Sequence, residues 1–101
     1  MYLIEILLPL HDNSGRSFGA GKYADIRQYL TERFGGLTAF TRSPAQGTTV
    51  DDGETVHDDI VVFEVMTNAL DSDWWESYRQ QLQREFRQDE IIIRASAIIL
   101  L

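Results

Sequence analysis

Three charged residues lie inside otherwise aliphatic segments and are the first candidates for chemistry. Glu5 lies in "YLIEILLP", Glu64 in "IVVFEVMT" and Arg94 in "IIIRASAIILL". A guanidinium between two carboxylates can anchor an anion or a carbonyl group, and a carboxylate in an apolar cleft can act as a base. The same set can instead form an ion pair that fixes strand register or subunit geometry. We favour the structural pair and keep all three residues as catalytic and ligand-binding candidates.

Two short groups combine histidine with carboxylates, His11-Asp12 and His57-Asp58-Asp59. Imidazole and carboxylate together can ligate a borderline metal ion. Such groups are also common at solvated strand ends, and the chain offers no cysteine ligand. We therefore predict no metal site, with His11 and His57 as the weakest of the candidates.

Two further motifs favour structural roles. The segment "GRSFGAGKY" (residues 15–23) has the wrong spacing for a phosphate-binding loop and no Ser or Thr after its lysine. It is more typical of a loop that leads into a helix, where Lys22 could meet the negative end of a ligand. Trp75 and Tyr78 fit the core stripe of a helix, whereas Trp74 lies off that stripe, where it could cap the sheet edge or meet a partner.

The composition excludes several classes of function. The chain carries a net charge of −7 with nine scattered basic residues, which disfavours a nucleic-acid partner. The absence of cysteine excludes disulfides and thiolate chemistry. No apolar run is long enough to span a bilayer, and the N-terminal strand lacks the features of a signal peptide. We expect a cytoplasmic protein with no membrane association and no cofactor.

The hydrophobic periodicity predicts six elements within one domain, residues 1–101. Four strands are predicted at residues 2–8, 37–42, 59–66 and 90–100. One helix is predicted at residues 22–34, ended by Gly35-Gly36, and a second helix begins after a cap among residues 71–73 and ends near residue 88. Residues 43–58 are predicted to form a loop, with Asp52-Gly53 as a hairpin signal.

The order of these elements predicts an α+β, ferredoxin-like βαββαβ fold. Right-handed crossovers give a four-stranded antiparallel sheet of order 4-1-3-2, with both helices on one face. Strand alternation then assigns Glu5, Glu64 and Arg94 to the helix-free face. Thr38, Phe40 and Arg42 of the second strand are expected on the same face.

The predicted helix-free face is a mostly aliphatic surface with a few charges, which a second copy of the chain could cover. We therefore predict a homodimer through this face. RNA recognition, which uses the same strand order, needs aromatic and basic residues there. The chain instead places Leu3, Glu5, Leu7, Val62 and Glu64 at those positions.

A ferredoxin-like unit that pairs sheet to sheet resembles the dimeric α/β-barrel proteins. The segments "FGGLTAFTRSPAQG", "DSDWWESYRQQLQREF" and "IIIRASAI" are also similar to small bacterial proteins without an assigned activity. The barrel resemblance implies a cofactor-independent small-molecule enzyme, monooxygenase- or isomerase-like, as one alternative to a structural homodimer. Glu5 or Glu64 would then be the base, and Arg94, with Arg42, would hold an anionic group. A ligand-sensing or partner-binding module that uses residues 43–58 is a further alternative.

Overall fold

A computed structural model of the chain describes residues 1–51 and 54–101, with the side chains of residues 40–59 outside the description. Its elements follow the predicted βαββαβ order. They are β1 (Tyr2–Pro9), α1 (Ala20–Phe34), β2 (Thr38–Asp51), β3 (Glu54–Thr67), α2 (Ser72–Glu85) and β4 (Ile92–Ala97).

The four strands form one antiparallel sheet in the order β2-β3-β1-β4. Read from the other edge, this is the predicted order 4-1-3-2. Strand β1 is central and pairs with β3 on one side and with β4 on the other. The ferredoxin-like α+β fold is thereby confirmed.

The core lies between the sheet and the two helices. Alternate residues of β1 and β3 are buried and point to the helices, as strand alternation predicts. They pack against one stripe of each helix, which places both helices on the same face of the sheet. Among the described side chains, the buried ones are Ile4, Ile6, Leu8, Val61, Phe63 and Val65 from the strands, and Ile26, Leu30, Trp75, Tyr78 and Leu82 from the helices, with Phe86 and Ile91 beside them.

Local signals explain where the helices end. Gly35 has a φ of 81°, and its N–H donates to the Thr31 carbonyl oxygen at 2.8 Å, which closes α1 as predicted. Asp71 caps the start of helix α2, where its carboxylate accepts a hydrogen bond from the Trp74 N–H at 3.2 Å. The helix ends at Glu85, about one turn before the predicted end.

The predicted loop at residues 43–58 is wrong, because β2 and β3 continue through it as an antiparallel pair. Their register shifts between Phe40 and Ala45 and then runs without interruption to the pair Asp51–Glu54. The segments "TTV" and "TV" supply β-branched residues that favour extended backbone. Main-chain pairing therefore extends beyond the apolar part of each strand. The predicted hairpin turn at Asp52-Gly53 lies outside the described residues.

Candidate functional site

The sheet register places the three predicted site residues in one row. Glu5 pairs with Glu64 on β3 and with Arg94 on β4. Thr38 pairs with Glu64 and extends the row to β2. Paired residues share a face, and Ile4 and Ile6 on either side of Glu5 are buried under the helices. The row therefore lies on the helix-free face, as predicted.

Arg94 and Glu5 form a partly exposed ion pair. The Arg94 Nε donates to the Glu5 Oε1 at 3.1 Å, and the two side chains are 59% and 23% exposed. A pair this exposed contributes roughly 0.2–1 kcal/mol to stability. The guanidinium has five N–H donors, and the described hydrogen bonds use only its Nε. Its terminal nitrogens are therefore available to another acceptor.

Glu64 is half-buried and belongs to no ion pair among the described side chains. It lies directly across from Glu5, so two carboxylates meet on neighbouring strands. Like charges in opposite positions destabilise a sheet unless a cation joins them. The row therefore has one more carboxylate than the single Arg94 guanidinium neutralises.

Apolar side chains surround this row on the helix-free face. Met66 and Ile92 are 50% and 48% exposed. Leu3, Leu7 and Val62 lie beside them and are half-buried. We call the surface formed by these residues and the charged row the sheet face; it includes Leu3, Glu5, Leu7, Thr38, Val62, Glu64, Met66, Ile92, Arg94 and Ser96.

Of the remaining candidates from the sequence, only His11 has a described side chain, and it lies away from the row. The side chains of Arg42 and His57 lie outside the described residues. His11 is exposed beyond the end of β1, where its backbone bridges to Ser17. Among the described residues, no group of three or more His, Cys, Asp or Glu side chains is arranged to hold a metal ion.

The loop after β1 is organised by its own hydrogen bonds. The Asp12 Oδ1 accepts from the backbone N–H groups of Arg16 at 2.9 Å and Ser14 at 2.8 Å. These bonds, that from Arg16 first, lower the pKa of the Asp12 carboxyl. Lys22 follows this loop, and its Nζ donates to the Glu85 carbonyl oxygen at 2.7 Å. It thus joins the start of α1 to the end of α2.

The aromatic residues of α2 have two roles. Trp75 and Tyr78 belong to the core, which confirms the prediction for them. Trp74 stacks on Tyr78 with ring centroids 5.1 Å apart, and the Arg33 guanidinium lies 4.1 Å from its ring centroid. Trp74 therefore packs between the helices instead of capping the sheet edge.

A groove between α1 and α2 was not predicted from the sequence. It has a volume of about 500 Å³ and is lined by Lys22, Asp25, Ile26, Tyr29, Tyr78, Gln81 and Glu85. Burial, followed by the Glu85 carboxylate and the Tyr29 phenol, raises the pKa of Tyr78 in this groove. The sequence held one clue to this groove, which is that Tyr29 is a large aromatic residue off the core stripe of α1. In the structure its side chain is 45% exposed.

A smaller cavity of about 290 Å³ lies between the start of α2 and β4. Its wall includes two guanidinium-bearing residues, Arg79 and Arg94, and the carboxylate-bearing Glu76. Arg94 therefore borders both the sheet face and this cavity. Arg79 also bonds within α2, where its Nη1 donates to the Gln83 Oε1 at 2.8 Å.

Comparisons with protein-family models and with curated proteins give no match. Among solved structures, the fold is similar to a phage SAM lyase in complex with S-methyl-5'-thioadenosine, with a TM-score of 0.62 and 13% identity over 94% of this chain and 79% of that chain. The apo state of a phage SAM lyase is similar at a TM-score of 0.63 and 14% identity, over 94% of this chain and 78% of that one. At this identity the likeness shows the fold. Neither described helix has the length and apolar character needed to cross a membrane.

Proposed function

We propose that the chain acts as a homodimer in which the sheet faces of two copies pack together, as in the dimeric α/β-barrel proteins. The observation that carries this proposal is the half exposure of Met66 and Ile92 on a face with one charged row. Large apolar side chains gathered on one surface favour burial against a partner. A second copy supplies an apolar surface of the same kind.

The charges of the sheet face are also self-complementary. In a two-fold interface, a contact between one residue of the first copy and another residue of the second copy is repeated in reverse by symmetry. Arg94 has terminal N–H donors that the described bonds leave free, and Glu64 belongs to no described ion pair. If Arg94 of each copy paired with Glu64 of the other, the interface would contain two symmetry-related ion pairs.

A lysine introduced on the sheet face tests this proposal. Ile92→Lys should raise the dimer dissociation constant about tenfold or more, because a buried unpaired charge costs well over the 1.4 kcal/mol that equals a tenfold change. Ala24→Lys adds the same charge to an exposed position of α1 and should leave association unchanged. Sedimentation velocity measures both variants, with circular dichroism to confirm that they fold. Wild-type association of Ile92→Lys would count against the interface.

The second candidate is a small-molecule enzyme that uses the same charged row. The fold similarity to a phage SAM lyase in complex with S-methyl-5'-thioadenosine favours a sulfur-containing nucleoside as the first ligand to try. Arg94, with Arg42, would hold an anionic group of the substrate, and Glu5 or Glu64 would accept a proton. Arg94 also borders the 290 Å³ cavity, which is close to the size of a small-ligand site.

Arg94→Met distinguishes the two candidates. If the row is structural, Arg94→Met weakens self-association. Calorimetric titration then shows no binding of S-methyl-5'-thioadenosine to the wild type or to the variant. In the enzyme, Arg94→Met abolishes ligand binding while the dimer persists. The wild type then cleaves S-adenosylmethionine by elimination: Glu5 or Glu64 takes a proton from the carbon next to the one bonded to sulfur, a carbon–carbon double bond forms in the amino-acid fragment, and S-methyl-5'-thioadenosine leaves with the electrons of the broken sulfur–carbon bond. A ligand-sensing module would bind the compound without turnover.

A further inference from the structure

The groove between α1 and α2 lies on the side of the molecule opposite to the sheet face. We propose that this groove is a binding site for a small protonated amine that carries an aromatic or other apolar group. Its volume of about 500 Å³ is within the range of small-ligand sites, which is roughly 300–1,000 Å³. The site does not depend on the proposed dimer.

Tyr78 is a nearly buried polar residue in the lining of the groove. Its side chain is only 4% exposed and lines the groove. No hydrogen bond to its hydroxyl is present among the described residues, although buried hydroxyls nearly always have a partner. An N–H donor of a ligand in the groove could bond to the phenolic oxygen.

Carboxylates from both helices give the groove its charge. Asp25 on α1 and Glu85 on α2 are exposed and take part in none of the described ion pairs. Lys22 is the one cation of the described lining, and its Nζ is held by the Glu85 carbonyl oxygen and lies 4.9 Å from the centroid of the Phe86 ring. Two carboxylates and one ammonium leave a formal charge of −1, which favours a cationic ligand.

Tyr29 provides an aromatic wall. Its ring is 45% exposed, and its centroid lies 5.6 Å from that of Tyr78 and 6.3 Å from that of Trp74. The exposed part of the Tyr29 ring, which packs beside these two rings, could receive an apolar group or a cation. Ile26 extends the apolar part of the wall. The groove thus combines an apolar surface with an acidic rim, which is the pattern that an amine with an apolar substituent complements.

Benzylamine and benzyl alcohol test this proposal as a matched pair, because they share the ring and differ in charge at neutral pH. We expect saturable binding of benzylamine in a titration followed by amide NMR, with shifts centred on Tyr29 and Tyr78. Benzyl alcohol should bind about fivefold more weakly, since it lacks the attraction to the two carboxylates. Equal binding of the two compounds, preferential binding of benzoate, or no binding of benzylamine would overturn the proposal.

Three variants locate the site. Asp25→Asn combined with Glu85→Gln should weaken benzylamine binding about fivefold, and Tyr78→Phe about threefold, through lost ionic and hydrogen-bonding contacts. Glu32→Gln removes an exposed carboxylate of α1 that is not part of the described lining and should leave binding within about twofold of wild type. The amide spectrum of each variant reports whether it is folded. Wild-type affinity of a folded Asp25→Asn/Glu85→Gln protein would contradict the assignment.

Discussion

Tyr23 connects the start of α1 to the end of β1. Its hydroxyl donates a hydrogen bond to the Pro9 carbonyl oxygen, and its ring packs against Phe86 with centroids 5.8 Å apart. Burial raises the pKa of Tyr23 to about 12. Unfolded tyrosine has a pKa of about 10, so the folded protein retains this proton over a range in which the unfolded chain loses it.

The free energy of unfolding should therefore fall with rising pH in this range. The contribution of Tyr23 is fully present below about pH 10 and is lost as the pH rises through about 12. Tyr23→Phe should cost about 1 kcal/mol at neutral pH, through loss of one hydrogen bond, and should make the alkaline decline shallower. Urea unfolding at a series of alkaline pH values measures both effects. A decline as steep as that of the wild type would contradict the role given to Tyr23.

The sequence predicted which face of the sheet carries Glu5 and Arg94, but it did not predict how exposed they are. Period-two alternation assigned Arg94 and Glu5 to one face, and their ion pair followed from the antiparallel pairing of β1 and β4. Alternation says nothing about how far a side chain is covered. The prediction therefore could not tell that the Arg94 side chain is 59% exposed. The roles of Glu5, Glu64 and Arg94 in binding or catalysis stay predictions.

At the scale of elements, the start of α2 depends on one side chain. Asp71 accepts the hydrogen bond of the Trp74 N–H, and this bond satisfies one of the N–H groups that a helix leaves free at its first turn. Asp71→Ala should lower the free energy of unfolding by about 1 kcal/mol, whereas Asp71→Asn, which can still cap, should lower it much less. Thermal or urea unfolding compares the two variants. Equal losses would show that the cap contributes little here.

The elements differ in how well the sequence predicted them. Helix α1 carries a clear 3.6-residue stripe and a terminal glycine, and its observed bounds lie within two residues of the prediction. Strands β2 and β3 extend far beyond their apolar segments, through Thr, Gly and Asp residues that are also typical of loops. Their pairing is between main-chain groups, and the hydrophobic pattern does not record it.

The groove between α1 and α2 was missed for a related reason. Periodicity identifies which stripe of each helix is buried, but the gap between two helices depends on their relative position over the sheet. Tyr29, Asp25 and Glu85 lie outside the core stripes, so the hydrophobic pattern gave no reason to group them. Spacing along one helix cannot place a residue of α1 opposite a residue of α2.

At the scale of the whole molecule, the two faces of the sheet have different surroundings. One face is covered by α1 and α2, and the groove between them is open on the outer side. The other face carries Met66 and Ile92 half exposed around the charged row. Because the sheet and its core separate the two surfaces, benzylamine binding should persist in Ile92→Lys, the variant that disrupts the proposed dimer. If Ile92→Lys lost both self-association and benzylamine binding, the substitution would have disturbed the fold.

The mass of the native protein in solution shows whether the sheet faces of two copies associate. One chain has a mass of 11.6 kDa. Sedimentation velocity over a concentration series should show a species with the mass of two chains, because the apolar residues of the sheet face are buried only when a second copy covers them. A single species of 11.6 kDa at every concentration would contradict the proposed homodimer.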